Sequence, residues 1–444
     1  MEWNIIIHTP ETDGYVPSLT SGLPRLDLAI GRSSRFPEIE ANLGRFETSQ
    51  HRSFAPIVKD LLRVALATYA ADQVVLRRYG EDRWTREIRL HVPVSDPAAW
   101  QACGEEFSRA AGFLTGDRWR FEFRRLPVAH TRPNEQAGPA AESLVVLFSG
   151  GLDSLIGAID LLEIGQAVSL VSHHGAGITR SVQQRLVEAL CARYGGRVQE
   201  LPFWVQPPRI QGSQHETTLR SRSLLFLALG TAVAFTLNPS RPLHVAENGL
   251  ISLNVPLTGA RLGSLSTRTT HPHFIQLFRE ILQKLAIGTD VVLPYRFKTK
   301  GEMLAGAANQ ECARALTPLT MSCAHPEAQR YTFRSVDRHC GYCVPCLIRR
   351  AATTAADFQD AAYCLDARRD APPAHTGRGK DLRAVLMAIA RFQDSQLMAA
   401  ADVLTTGPIP HHEIQQYAEV YRRGMSELRA YLRPQHAPTS IQRL

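Results

Sequence analysis

Six consecutive residues, Ser149-Gly150-Gly151-Leu152-Asp153-Ser154, have the types and order of an anion-binding turn. They follow the apolar run Ser143-Leu144-Val145-Val146-Leu147-Phe148 and precede a helix-like segment from Leu155 to Glu163. The first turn of such a helix points free backbone N–H groups into the loop. Gly150 and Gly151 put no Cβ between the backbone and an anion, and Ser149 and Ser154 add hydroxyl donors. This set suits a pyrophosphate. Asp153 would cap the helix or help seat Mg²⁺. No Lys-Ser/Thr pair follows the glycines, so the loop is not a Walker loop, and the Gly-x-Ser-x-Gly order of a nucleophile elbow is absent. The alternative is a plain strand-to-helix turn, which carries Ser, Gly and Asp for turn and capping reasons.

A second set is sulfur. Cys340, Cys343 and Cys346 stand at C-x2-C-x2-C spacing, and Cys323 lies upstream beyond a polar loop. Four soft thiolates at tetrahedral reach favour a closed, structural Zn²⁺ site that staples the loops between Thr320 and Arg350. An iron–sulfur cluster or a redox Cys-x-x-Cys competes for the same residues. His325 and His339 are adjacent alternative ligands, ranked below Cys323. The remaining cysteines (Cys103, Cys191, Cys312 and Cys364) are scattered, and a cluster of this kind reads as a metal site in a reducing compartment, not as a disulfide frame.

The elements that must hold these residues alternate in type. After the strand at 143–148 come a helix from about 153, a strand from Ala167 to Ser172 and a helix from Ser181 to Tyr194. A strand Val198 to Pro202, a long helix 220–237 and a strand Leu243 to Ala246 complete the series. Such alternation predicts an α/β fold with a parallel sheet and helices on both faces, and ligands bind there at the carboxyl ends of strands. Residues 1–130 read as a separate α/β module, with a helix across Phe54 to Val75 and strands at 87–92 and 118–123. The polar Pro/Gly stretch of 131–142 reads as a linker, 143–365 as the core, and 366–444 as a helical extension with segments at 380–392 and 412–432. A chain of 444 residues, 44% hydrophobic and 21% charged, fits two or three domains of an ordinary globular protein. The start of the chain shows no export signal, and the apolar stretch Ser223 to Leu237 is short for a membrane span, so the expectation is a cytoplasmic protein with no membrane partner. The net charge of +8 has no long basic run behind it, which favours a basic surface over a dedicated nucleic-acid site.

The string SGGLDS resembles the PP-loop of the N-type ATP pyrophosphatases, which split ATP into AMP and pyrophosphate. With the cysteine segment it resembles, in order and approximate spacing, the 7-cyano-7-deazaguanine synthase (QueC) family. Leu319-Thr320-Met321-Ser322-Cys323 followed by Cys340-Gly341-Tyr342-Cys343-Val344-Pro345-Cys346 looks like that family's zinc segment. Arg220-Ser221-Arg222-Ser223 resembles its Arg-bearing helix start, and Pro294 with Thr299-Lys300-Gly301-Glu302-Met303 its proline and Thr/Ser-Lys segment. The resemblance covers about 143–365, is specific at both ends and is loose between them. Where the family has an acidic base-recognition stretch, this chain reads Glu247-Asn248-Gly249-Leu250 and then Ser266-Thr267-Arg268-Thr269-Thr270-His271-Pro272-His273-Phe274. The long N-terminal module and helical tail are foreign to the compact synthase and look similar to QueC-like proteins of bacterial anti-phage operons, the Qat type and the related type IV CBASS proteins.

That resemblance implies a Rossmann-like sheet of the adenine nucleotide alpha hydrolase (HUP) kind with ATP, Mg²⁺ and Zn²⁺ as cofactors. It implies an ATP-dependent carbon–nitrogen ligase that adenylates a carboxylate, such as 7-carboxy-7-deazaguanine, and passes it to ammonia or a protein amine. Ser149 to Ser154 would hold the phosphates, with Asp153, Ser154, Arg222 and Lys300 assisting the transfer. Glu247, Asn248, Arg268, His271 and His273 would reach the substrate, and Cys323, Cys340, Cys343 and Cys346 would hold zinc. Partner proteins from the same operon are expected. The rival readings are the housekeeping synthase, a tRNA-modifying PP-loop enzyme and a non-catalytic nucleotide-binding scaffold.

Overall fold

The computed structural model describes residues 1–9, 13–18, 22–127, 142–174, 177–210, 212, 214–259, 268–326 and 338–433. Ten strands form one mostly parallel sheet: β1 (Glu2–His8), β2 (Arg25–Ile30), β3 (Glu38–Ala41), β4 (Glu87–Val94), β5 (Arg118–Arg125), β6 (Leu144–Leu147), β7 (Val168–His174), β8 (Val198–Gln206), β9 (Leu243–His244) and β10 (Val291–Val292). Their order is β10-β9-β6-β7-β8-β3-β2-β1-β4-β5. The expected α/β class is what the chain adopts.

The core sheet arises from strands that are apolar on both sides. Along β6, Val145 and Leu147 enter one apolar cluster while Val146 and Phe148 enter another on the opposite face. A strand buried on both faces reads as a continuous apolar run, which is why 143–148 shows no alternation. β6 pairs in parallel with β7 and β9, so the loop after it opens at the carboxyl edge of the sheet. The helices Leu152–Glu163 and Gly177–Tyr194 cover one face, and Arg222–Leu237 with Pro272–Lys284 the other. The Arg222–Leu237 helix is apolar nearly all round because it is buried nearly all round. No described helix is long and apolar enough to cross a membrane.

The first 125 residues contribute five parallel strands, and these continue the core sheet. The junction is the one antiparallel pairing among the described residues, Glu40 opposite Gln206 and Ala41 opposite Val205, between β3 and β8. Asn42 fastens it, donating from Nδ2 to the Pro202 carbonyl (3.0 Å) and accepting at Oδ1 from the Trp204 N–H (2.8 Å). A single apolar cluster runs from Ile5 and Leu28 through the Pro56–Val74 helix to Leu224, Leu229 and Phe278. The expected linker at 131–142 lies outside the described residues except for Glu142.

The tail is helical as expected, with Gly379–Arg391, Gln396–Leu404 and Ile414–Leu432 packed on the Val344–Ala355 helix around Leu347, Val385, Tyr417 and Tyr421. The middle helix of the three has no counterpart in the sequence expectation.

Candidate functional site

The β6 strand ends and the chain turns at Gly150, whose φ is +82°, in the left-handed region that favours glycine. A Cβ there would stand 3.1 Å from Gln183 Cγ and 3.3 Å from Val182 Cγ1. Gly151 is the N-cap of the Leu152–Glu163 helix and offers no side chain to its free N–H groups, so the first turn is left open to an anion. The hydroxyls organise the turn itself. Ser154 Oγ donates to the Gly151 carbonyl (2.9 Å), Ser149 Oγ accepts from the Gly151 N–H (3.2 Å), and the two hydroxyls lie 3.3 Å apart. Leu152 is a core residue of the helix.

Asp153 neither caps the helix nor presents an open oxygen. Oδ1 is paired with Lys300 Nζ, and Oδ2 accepts from the Asn248 side chain (2.7 Å) and backbone N–H (3.2 Å). Asp153 and Lys300 are both buried. Lys300 is placed by a capping box, in which Thr299 and Glu302 exchange hydrogen bonds at the start of the Lys300–Ala305 helix. Asn248 caps the next short helix, Gly249–Leu253, through Ile251. Glu247 completes the group: Oε2 accepts from Thr270 Oγ1, which also meets Ser252 Oγ at 2.6 Å. Desolvation, with the Asp153 charge nearby, pushes the Glu247 carboxyl up to about 7. Glu247 Oε1 has no hydrogen-bond partner among the described residues.

Arg222 comes to the end of β7. Its Nε donates to His173 Nδ1 (3.0 Å) and its Nη2 to the His173 carbonyl (2.9 Å). No described carboxylate lies within ion-pair reach, and burial lowers its pKa. His173 is itself held neutral, first by burial and then by the Arg222 charge. Sequence reasoning missed this corner. Gln183 Nε2 bridges the Ser149 carbonyl (3.3 Å) and the His173 carbonyl (3.4 Å), tying the loop to β7. Four buried polar atoms here have no partner among the described residues: Ser172 Oγ, His173 Nε2, His174 Nδ1 and Gln183 Oε1. Buried polar atoms are normally paired, to protein or to water, so these four, on the end of β7 and on the helix packed against it, could bind water or a polar ligand. The signal in the sequence was the run of three polar residues, Ser172-His173-His174, that ends the strand.

The structure turns Arg268, His271 and His273 elsewhere. Arg268 Nη1 donates to the Phe113 carbonyl (3.1 Å) and its guanidinium lies 4.5 Å over the Phe113 ring. His271 is the N-cap of the Pro272–Lys284 helix: Nδ1 accepts from the His273 N–H (3.2 Å), and Nε2 donates to Thr406 Oγ1 (2.8 Å). Both ring nitrogens are therefore engaged, and burial lowers its pKa to about 3. His273 meets the Phe113 ring edge-on at 5.0 Å. Ser266 and Thr267 lie outside the described residues.

Cys323, Cys340, Cys343 and Cys346 are all buried, and their Sγ atoms lie within 4.8 Å of one another. Cys340 Sγ and Cys346 Sγ are 3.7 Å apart, too far for a disulfide. The spacing matches the edge of a tetrahedron with metal–sulfur bonds of about 2.3 Å, roughly 3.8 Å. The four thiols could hold a Zn²⁺. Burial first, then its sulfur neighbours, push the Cys346 thiol well above its ordinary range, the balance that a divalent cation at the centre reverses. Gly341, at φ +86°, leaves no room for a Cβ, which would meet the Leu365 carbonyl oxygen at 2.0 Å. His325 and His339 stand outside the sulfur set. The His325 N–H donates to Cys323 Sγ (3.3 Å), and His339 Nε2 accepts from the Ser322 N–H (3.1 Å). The cluster is joined to the loop, because the Met321 N–H donates to the Gly150 carbonyl (3.0 Å). The wholly buried Arg349 holds the same stretch through Thr317, Thr320 and Asp360.

No protein-family model matches the chain, and no curated protein matches it.

Proposed function

We propose that the chain is an ATP-dependent enzyme that adenylates a carboxylate at the Ser149–Ser154 loop and passes the acyl group to an amine. The observation that carries this reading is the glycine turn at the end of β6. It presents an uncapped helix N-terminus with Gly150 at φ +82°; the half-buried Arg222, which no described carboxylate pairs, and the buried Lys300–Asp153 pair stand at the same sheet edge. A pyrophosphate group needs that combination of backbone N–H donors and positive charge.

The chemistry balances as two displacements. A carboxylate oxygen attacks the α-phosphorus of ATP, the bond to the β-phosphate bridging oxygen breaks, and pyrophosphate leaves with its electron pair. The amine nitrogen then attacks the acyl carbon, the carbon–oxygen bond to AMP breaks, and the amine proton passes to solvent. Loop amides bind the phosphates, Arg222 neutralises charge that builds on the leaving group, and Lys300 holds Asp153 and the start of the helix in place. Mg²⁺, when bound, would supply further charge neutralisation. Asp153 has both oxygens engaged, so the carboxylate with an oxygen open to that cation is Glu247, not Asp153. A deazaguanine carboxylate as substrate, ammonia or a protein amine as acceptor, and a setting in anti-phage defence rest on the resemblance to the QueC-like proteins.

The test is mass spectrometry of the purified chain incubated with ATP, Mg²⁺ and 7-carboxy-7-deazaguanine, with and without neighbouring gene products. Release of pyrophosphate with an adenylate, amide, nitrile or protein adduct is expected. Failure to form AMP and pyrophosphate with any such carboxylate leaves the nucleotide-binding scaffold.

A further inference from the structure

The helix that carries Arg222 is anchored from outside the core. Ser221, its N-cap, makes no side-chain bond to its own helix. Serine at that position ordinarily accepts from the second or third helical N–H. Here the hydroxyl is given to Asp72, on the Pro56–Val74 helix, at 2.6 Å, and the Ser221 N–H reaches the same Asp72 oxygen at 3.3 Å. The other Asp72 oxygen is held by Arg86, which also binds the Asp72 and Val75 carbonyls and Asp117. Arg220, the residue before Ser221, donates to the Thr115 carbonyl at 2.7 Å. Both residues ahead of Arg222 are therefore fixed to the first 125 residues. One turn back from Asp72 along the Pro56–Val74 helix, Tyr69 meets the His173 ring edge-on at 6.2 Å. Asp72 and Arg86 are almost wholly buried, so this frame is rigid.

We propose that Asp72, acting through Ser221, is a positioning residue that holds the Arg222 guanidinium against His173 in the nucleotide site. The N-terminal segment is thereby a working wall of that site. Its helix supplies Tyr69 against His173 and, through Asp72 and Ser221, sets the angle at which Arg222 enters. The proposal rests on the reading of the loop as an ATP site, and its test separates the two.

Asp72→Ala would strip a partner from buried Arg86 and risks unfolding the chain, so the hydroxyl is removed instead. ATP affinity, measured by calorimetry with Mg²⁺ on the full chain, is compared for wild type, Ser221→Ala, Ser221→Thr, Arg222→Ala and the Ser221→Ala/Arg222→Ala double variant. We expect Ser221→Ala to weaken ATP roughly tenfold, Ser221→Thr to restore affinity, and Ser221→Ala to add nothing once Arg222 is gone. A double-mutant cycle of this form isolates an effect transmitted through one partner. If Ser221→Ala and Arg222→Ala are independent, or Ser221→Ala is silent while Arg222→Ala weakens ATP, the positioning role is overturned and the ATP site stands. If wild type binds no ATP, or Arg222→Ala is silent, the site reading itself fails and the inference with it.

Discussion

Replacing Asp153 by Asn removes one charge from a buried pair and leaves the other in place. The variant keeps the volume and an oxygen for Asn248, so its cost is chiefly that of a lysine ammonium with no carboxylate. Breaking a buried pair in this way costs about 3–5 kcal/mol. An upper bound comes from the escape open to any stranded buried ammonium, the loss of its proton. From the ordinary lysine pKa of about 10.4, that costs roughly 5 kcal/mol at pH 7 and falls by about 1.4 kcal/mol for each unit of rising pH. The penalty of Asp153→Asn should therefore be about 3–5 kcal/mol at pH 7 and shrink by pH 9. Lys300→Met combined with Asp153→Asn should recover most of the stability, because no unpaired charge remains. Urea denaturation of the three proteins at pH 7 and pH 9 measures this. A penalty below about 1 kcal/mol, or one that does not change with pH, would refute the claim that Asp153 and Lys300 form a buried structural pair at the foot of the loop.

Gly150→Ala forces an L-residue into the left-handed region and pushes its Cβ against Gln183 and Val182; we expect a loss of about 1–2 kcal/mol in denaturation and loss of ATP binding, while an unaltered ATP affinity would rule out a rigid phosphate turn. Chelation of a metal held by the four thiols, or Cys346→Ser, should lower the unfolding midpoint and speed amide exchange at Met321, whose N–H holds the Gly150 carbonyl; full protection of that amide in metal-free protein would uncouple cluster from loop. His271 is neutral when folded, with its pKa lowered to about 3 by burial, then by the Arg268 and His273 charges. The unfolded chain takes up this proton below about 6.5 and the folded chain does not, so stability should fall as pH drops from 6.5 towards 3. His271→Asn keeps a capping oxygen and should flatten that slope, and parallel curves for the two proteins would contradict the assignment.

The loop and the sulfur cluster were legible in the sequence because each is local. An apolar run followed by two glycines needs no distant partner to be recognised, and three cysteines at fixed spacing point to one another. The surroundings were not legible, because they are made by contacts across the chain. Lys300 reaches Asp153 across 147 positions, and Arg222 reaches His173 across 49. His271 looked available because it flanks Pro272 in a polar stretch, yet its ring caps the helix that Pro272 begins and meets Thr406 of the tail. The β3–β8 junction rests on two residue pairs in a four-residue strand, too short to give a periodic signal.

That junction bears on how the chain can be divided. A fragment beginning near residue 142 would strip the end of β8 of its pairing with β3 and of the Asn42 contacts, freeing N–H and C=O groups between Pro202 and Gln206. It would also lay open the side of the Arg222–Leu237 helix that the Pro56–Val74 helix covers. Exposed strand edges template association with other chains. The core at 143–365 that the sequence outlines would therefore be sticky and poorly soluble when cut free, and any trimming has to spare the first 125 residues.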